Sequence, residues 1–219
     1  MKIKSYNQYC PVAHSLDIVG GRWTLLVIRN LMTGPKRFSD LTRGLPGIST
    51  NILTERLNHL EQKGIIQMRY LPPPAASNVY ELTEYGQGLR PVLVALAEWG
   101  IQTLGEPSPT QVATVEALQL SLSQIFTHEV PPDFVLTCRV QIRHGDNVYE
   151  YDVTFDVNGV TIIPSSGNPH TLEIQMELRD MAALNRRQTT LTALYENGRI
   201  TVVGDNEFSF KQITQYYGE

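Results

Sequence analysis

The side chains with the clearest chemical use lie between Lys36 and Arg69. Residues 49–63 read STNILTERLNHLEQK, and a 100° wheel puts Ile52, Leu53, Leu57 and Leu60 on one side. Asn51, Thr54, Glu55, Asn58 and Gln62 fall opposite, with Thr50 at the edge. That outer face is short and hydrogen-bonding. Asn can pair both groups of an adenine edge, Thr offers a hydroxyl and a methyl to thymine, and Glu accepts from cytosine. Ser49 opens the helix as its N-cap, where free backbone N–H groups suit a phosphate. Lys36, Arg37, Arg43 and Arg69 are spaced to neutralise further phosphates on either side. Ser39, read as the N-cap of the preceding helix, joins this set of candidate DNA contacts. Arg56 lies nearer the apolar stripe, so a structural ion pair is expected of it.

The elements that must position this face follow from periodicity. Residues 13–34 read as a short helix, a Gly-Gly break and a second helix ending at Gly34-Pro35, with Trp23, Leu26, Val27, Leu31 and Phe38 as core candidates. Residues 37–45 form the next helix, with Leu41 and Leu45 inward, and Gly64 stops the helix that follows. IIQMRYL and NVYELT alternate like two strands around the tip PPPAAS. A long helix follows, with Leu89, Val92, Leu93, Leu96 and Trp99 at helical spacing. Helices, a hairpin and a long helix in this order predict a winged helix-turn-helix.

The formal charge of -4 hides an asymmetry. Residues 1–105 carry 11 Lys+Arg and 7 Asp+Glu, a balance of +4, whereas residues 106–219 carry 7 and 15, a balance of -8. A seam at Gly105-Glu-Pro-Ser-Pro-Thr-Gln111 therefore divides two domains, 1–105 and 106–219, with different partners. There is no run of about 18 apolar residues, so no membrane span is expected. The N-terminal stretch lacks the apolar middle of a signal peptide, and Cys10 and Cys138 form no framework; a cytoplasmic setting is expected. His14, His59, His128, His144 and His170 are scattered without metal spacing, and no GxSxG or P-loop occurs. Neither an enzyme nor a cofactor is expected.

From about Cys10 to Gly100 the chain resembles the HxlR-type regulators, relatives of the MarR group. The pieces that carry the likeness are CPV, GGRWTLLVIRNL, RFSDL, LPGIS, LTERLNHLEQKGII, YELTEYG and LAEWG. The resemblance implies a homodimeric bacterial transcription factor. Its recognition helix would be 49–63, its wing about 65–82, and its dimer contacts would come from the two terminal helices. An inverted-repeat operator of double-stranded DNA, with half-sites about one turn apart, would follow. Two departures concern the wing: Met68 stands where the family commonly has Arg, and the tip carries no Lys or Arg. The resemblance also places at Cys10 the thiol that some relatives use to sense oxidants. The start of a helix favours a reactive thiolate.

Beyond the seam, residues 112–126 are helical, with Leu118, Leu122, Ile125 and Phe126 inward. The period then changes to two. DFVLTCRVQIRHG, NVYEYDVTFDVNGV, VTIIPSSG and HTLEIQMEL read as an antiparallel meander with Asp152 and Asp156 on a solvated face. Residues 179–198 return to helix, GRITVVGD is another strand, and a closing helix follows. The class is α+β, an antiparallel sheet covered by helices. YEYDVTFDVNGVTI, LEIQMELRDMAALNRRQ and LTALYENGRITVVGDNEFSFKQI resemble the sterol-carrier-protein fold. That likeness implies an apolar tunnel. Its walls would be Leu136, Cys138, Val140, Tyr151, Val153 and Phe155 from the strands, with Met181, Leu184, Leu191 and Leu194 from the helices, and its occupant an apolar small molecule or lipid.

These readings converge on a dimeric regulator that binds DNA through 49–63, with a C-terminal domain that senses an apolar ligand. The alternatives are a carrier protein whose winged helix serves dimerisation, and a thiol switch acting through Cys10.

Overall fold

A computed structural model describes residues 5–74, 76–126, 130, 133–204 and 207–217, so His128 and the tip residue Ala75 lie outside the described residues. Its contacts separate two compact units, Met1–Ala95 and Leu96–Glu219. The division falls inside a helix, ten residues before the seam at Gly105.

The first unit is built from α1 (Pro11–Val19), α2 (Thr24–Leu31), α3 (Phe38–Gly44), α4 (Thr50–Gln62), β1 (Ile66–Leu71), β2 (Ser77–Leu82) and α5 (Glu84–Gln87), and α6 (Arg90–Leu104) carries the boundary. Pro11 occupies the first position of α1, where its missing N–H costs nothing. On α2 the buried residues are Thr24, Val27, Ile28, Asn30 and Leu31. This phase leaves Leu26 40% exposed, contrary to its expected place in the core. Trp23 and Phe38 pack at the core's edge. Ser39 is not a cap. α3 begins at Phe38, and the cap, two residues before Ser39, is Arg37, whose backbone N–H donates to Asp40 Oδ2 at 3.2 Å. Asp40, three residues on, supplies the returning carboxylate of a capping box.

β1 and β2 form an antiparallel hairpin, Ile66 opposite Leu82 and Leu71 opposite Ser77. Lys36 exchanges both backbone hydrogen bonds with Tyr80, which docks the hairpin beside α3. Gly86 closes its base: any Cβ there would collide with the carbonyl of Ile65. On α6 Leu93 is buried, whereas Val92, Leu96 and Trp99 are exposed.

The second unit comprises α7 (Val115–Ile125), β3 (Leu136–His144), β4 (Asn147–Asp156), β5 (Gly159–Pro164), β6 (Glu173–Glu177), α8 (Leu178–Asn185), α9 (Leu191–Glu196), β7 (Thr201–Val203) and α10 (Glu207–Tyr217). The sheet order is β5-β4-β3-β6-β7. The expected meander holds for β3, β4 and β5, but β6 pairs parallel to β3, so the sheet is mixed rather than antiparallel. Register explains how an eight-residue connection suffices. Pro164 at the end of β5 lies level with Tyr151 and Val140, and β6 begins opposite Arg139. The chain leaves β5 at the height where β6 starts, and crosses two strands without the returning helix a parallel pair usually needs.

That crossing is held by a group expected to be solvated. Asp152 is buried; its carboxylate accepts from the Ser166 backbone N–H and lies 2.9 Å from His170 Nε2. Arg139 bonds the carbonyl of Asn168 in the same connection. Along β4, Tyr151, Val153 and Phe155 face the opposite way into the core, where Phe155 meets the Phe126 ring edge-on at 5.3 Å. Arg187, in a left-handed conformation, separates α8 from α9.

Burial pushes the Asp152 carboxyl up, but bonds from Ser165 and Ser166 and the adjacent His170 outweigh it, holding the group below its ordinary 3.8. A carboxyl whose folded value is depressed stabilises above its unfolded value and loses that contribution as pH falls through the folded one. The urea midpoint of the C-terminal unit is therefore expected to fall below about pH 4. In Asp152→Asn that acid limb should be shallower; an identical limb in both proteins would remove Asp152 as its source.

Candidate nucleic-acid interface

The face of α4 is set by what its other side buries. Leu53, Leu57 and Leu60 are at most 1% exposed and pack in a cluster with Val27, Ile28, Leu31, Leu41 and Leu45. Ile52 was expected in this stripe but is 38% exposed. Ser49 caps the helix, its hydroxyl accepting from the Ile52 N–H at 3.3 Å. Gly64, at φ +68, ends it in a conformation that a side chain would strain.

Two further ties fix α4. His59 Nε2 lies 2.8 Å from the carbonyl of Ile18, at the end of α1. Arg56 tucks its guanidinium against Gly21 and pairs with Glu55 at 2.5 Å. The ion pair expected of Arg56 is present, and it engages Glu55, a candidate base reader. Thr50, Asn51, Thr54, Asn58 and Gln62 stand exposed along the outer face with Ser49 and Glu55.

The cations flank this face unequally. Arg43, 80% exposed, keeps a loose 3.5 Å contact with Asp40. Arg37 and Ser39 are exposed on the first turn of α3, and Lys36 is partly buried beside the hairpin. Arg69 is committed: its guanidinium donates twice to Glu81 Oε2 and once to Oε1, at 2.9–3.0 Å, and Gln67 adds a bond to the same carboxylate. Hydrogen bonds from Arg69 and then Gln67 hold the Glu81 carboxyl below its usual range. The wing's basic residue thus brings its own counter-charge. Sequence reading missed Glu81 and the Gly21–Arg56 lock. The first was within reach, since Glu81 is a diagonal cross-strand neighbour once the register is known.

Cys10 is half-buried at the N-cap of α1. Cys138 is fully buried, and burial, then the Asp152 charge, pushes its thiol up to about 12. Val140, Tyr151, Val153, Phe155, Met181, Leu191 and Leu194 are at most 2% exposed and share one core cluster with Cys138; Leu136 and Leu184 pack at its edge. Among the described residues no group of three or more His, Cys, Asp or Glu is arranged to hold a metal ion, and no helix is long and apolar enough to cross a membrane.

Known proteins match in the half that carries this face. The family model for the HxlR-like helix-turn-helix fits residues 18–108. The HTH-type transcriptional regulator YodB of Bacillus subtilis (strain 168) is 40% identical over 105 residues, 48% of this chain and 93% of its own length. The chain belongs to the HxlR-like helix-turn-helix family. An uncharacterised HTH-type transcriptional regulator of Synechocystis, sll1512, is 38% identical over 99 residues, 45% of this chain and 73% of its own. The solved reduced form of YodB superposes with a TM-score of 0.40 at 39% identity, over 44% of this chain and 96% of that one. These HxlR-like relatives are named as transcriptional regulators, a class that is not enzymatic, and each match covers less than half of this chain.

If Ser49 caps α4 as described, Ser49→Ala should lower the stability of the N-terminal unit by about 0.5–2 kcal/mol in urea unfolding. Asn51→Ala and Asn58→Ala, on the exposed face, should stay within about 0.5 kcal/mol of the parent. Equal losses at all three positions would contradict the assignment of cap and face.

Proposed function

We propose that this chain is a cytoplasmic, dimeric transcriptional regulator that reads an inverted-repeat operator through α4. The observation that carries this reading is the exposed row Thr50, Asn51, Thr54 and Asn58 on a helix anchored by buried leucines, in a member of the HxlR-like helix-turn-helix family. Lys36, Arg37, Ser39, Arg43 and the capped start of α4 serve as phosphate contacts, and Glu55 reads a base only when released from Arg56. Exposed Val92, Leu96 and Trp99 on α6, with Val12 and Leu16 on α1, support burial against a second copy. Residues 106–219 act as a sterol-carrier-like effector domain. Their negative balance also repels DNA and confines docking to the basic domain, 1–105.

A second reading gates the same function by oxidation. Its support is the half-buried placement of Cys10 at the start of α1, next to exposed Val12 and Leu16. Oxidant treatment should then lower operator affinity in the parent and leave Cys10→Ser unchanged; equal responses remove the thiol from the mechanism.

Binding to DNA from upstream of its own gene, titrated against salt, tests the leading reading. Asn51→Ala, Thr54→Ala and Asn58→Ala should each reduce discrimination between that DNA and a scrambled duplex, by about 1–3 kcal/mol for a residue holding a good base contact. Glu81→Gln should free Arg69, raise affinity for both duplexes and steepen the log–log salt slope by about 0.9. Unchanged discrimination in all three α4 variants would favour a carrier protein that uses the winged helix for dimerisation.

A further inference from the structure

We infer that a cleft of about 300 Å³ in the C-terminal unit binds a compact, largely apolar molecule that carries one hydrogen-bond donor. The cleft is distinct from the core face of the sheet. Its walls are Leu118 of α7, Met181 and Asn185 of α8, Ile101 and Leu104 of α6, and Val112 of the segment that follows. Of the residues expected to line an inner tunnel, Met181 alone takes part. Much of the lining precedes residue 112, outside the stretch that resembles the sterol-carrier fold.

The wall from the connecting segment is built, not draped. Arg186 bonds both the carbonyl of Gly105 and the carboxylate of Glu106. His144 Nε2 lies 3.0 Å from the carbonyl of Gln111, and the Tyr149 hydroxyl donates to the carbonyl of Ala113 at 3.0 Å. These ties resist the collapse that would otherwise close an apolar cleft.

Size and polarity choose the occupant. A cavity of about 150 Å³ accepts benzene, so this one suits about two fused rings. One helical turn, 5.4 Å long and about 10 Å across, fills roughly 400 Å³ and does not fit. The surroundings are mostly aliphatic; Asn185 also lines the cleft, and its Oδ1 is buried without a hydrogen-bond partner. A buried acceptor without a donor is destabilising, and a ligand hydroxyl or N–H relieves it once the Asn185 amide turns its oxygen toward the cleft. Ile101 and Leu104 belong to α6, whose earlier turn supplies Leu93 to the first core. Any effect of occupancy on DNA binding rests on the regulator reading; occupancy itself does not.

The test uses the full chain with ¹³C-methyl methionine, titrated with 2-naphthol and with naphthalene. A saturable shift of the Met181 methyl, with Met32 and Met68 unmoved, supports the site. So does naphthalene binding about three- to tenfold more weakly for want of the donor. Ala117→Phe, which fills the cleft, should abolish the shift while circular dichroism stays unchanged; if that variant does not fold, the methionine pattern of the parent decides alone. No saturable shift at Met181, or undiminished binding to folded Ala117→Phe, overturns the site, and equal affinity for the two probes overturns the role of Asn185. Because the readout contains no DNA, its failure leaves the operator titration standing, and the reverse holds too.

Discussion

Leu53, Leu57 and Leu60 decide more about this molecule than any exposed residue does. Burying three leucine side chains is worth about 1.5–3 kcal/mol each, whereas the Ser49 cap contributes about 1. Packing therefore fixes the rotation of α4, and the cap fixes only where it begins. Once that rotation is fixed, Asn51, Thr54 and Asn58 have one direction left to face. The Arg56 guanidinium against Gly21 and the His59 contact with the Ile18 carbonyl then hold that setting from beneath. The same leucines draw in Val27, Ile28 and Leu31 of α2, so the helix pair is one mechanical piece.

The two units distribute polar chemistry differently. In the first, hydrogen-bonding side chains line an outer helical face and the flanking charges are largely arginine. The second places polar groups on the sheet face away from its core, where Asp152 and His170 anchor the strand crossing, and buries others, among them Asp180, in its helices. Arg139 sits on that face beside Glu173. The basic and acidic balances of the two halves are thus expressed as different kinds of surface.

Helical elements were legible because their information is local. The wheel found the leucine stripe of α4, and Gly64 and Ser49 mark its ends. It failed at Ile52, where a smooth period overstated the width of the buried stripe, and at Leu26, where Ile28 claims the inward position. Ser39 looked like a cap by residue type alone; the carboxylate that closes the α3 box belongs to Asp40. The parallel pairing of β6 with β3 was hidden, since alternation within a strand says nothing about which strand lies beside it. Asp152 was misjudged for the same reason, because its cover comes from a connection distant in sequence. The cleft beside Met181 depends on a segment that reads only as a linker.

The crossing between β5 and β6 has a consequence for how the chain is made. Val140 pairs with Ile174, so the central strand of the sheet lacks one neighbour until 34 further residues have left the ribosome. At about 5–20 residues per second that is an interval of roughly 2–7 s. The winged unit closes its core from nearby segments and is complete well before then. During synthesis the β3 edge is open to pairing with other strands, and a chaperone that covers it is useful in the interval before β6 emerges.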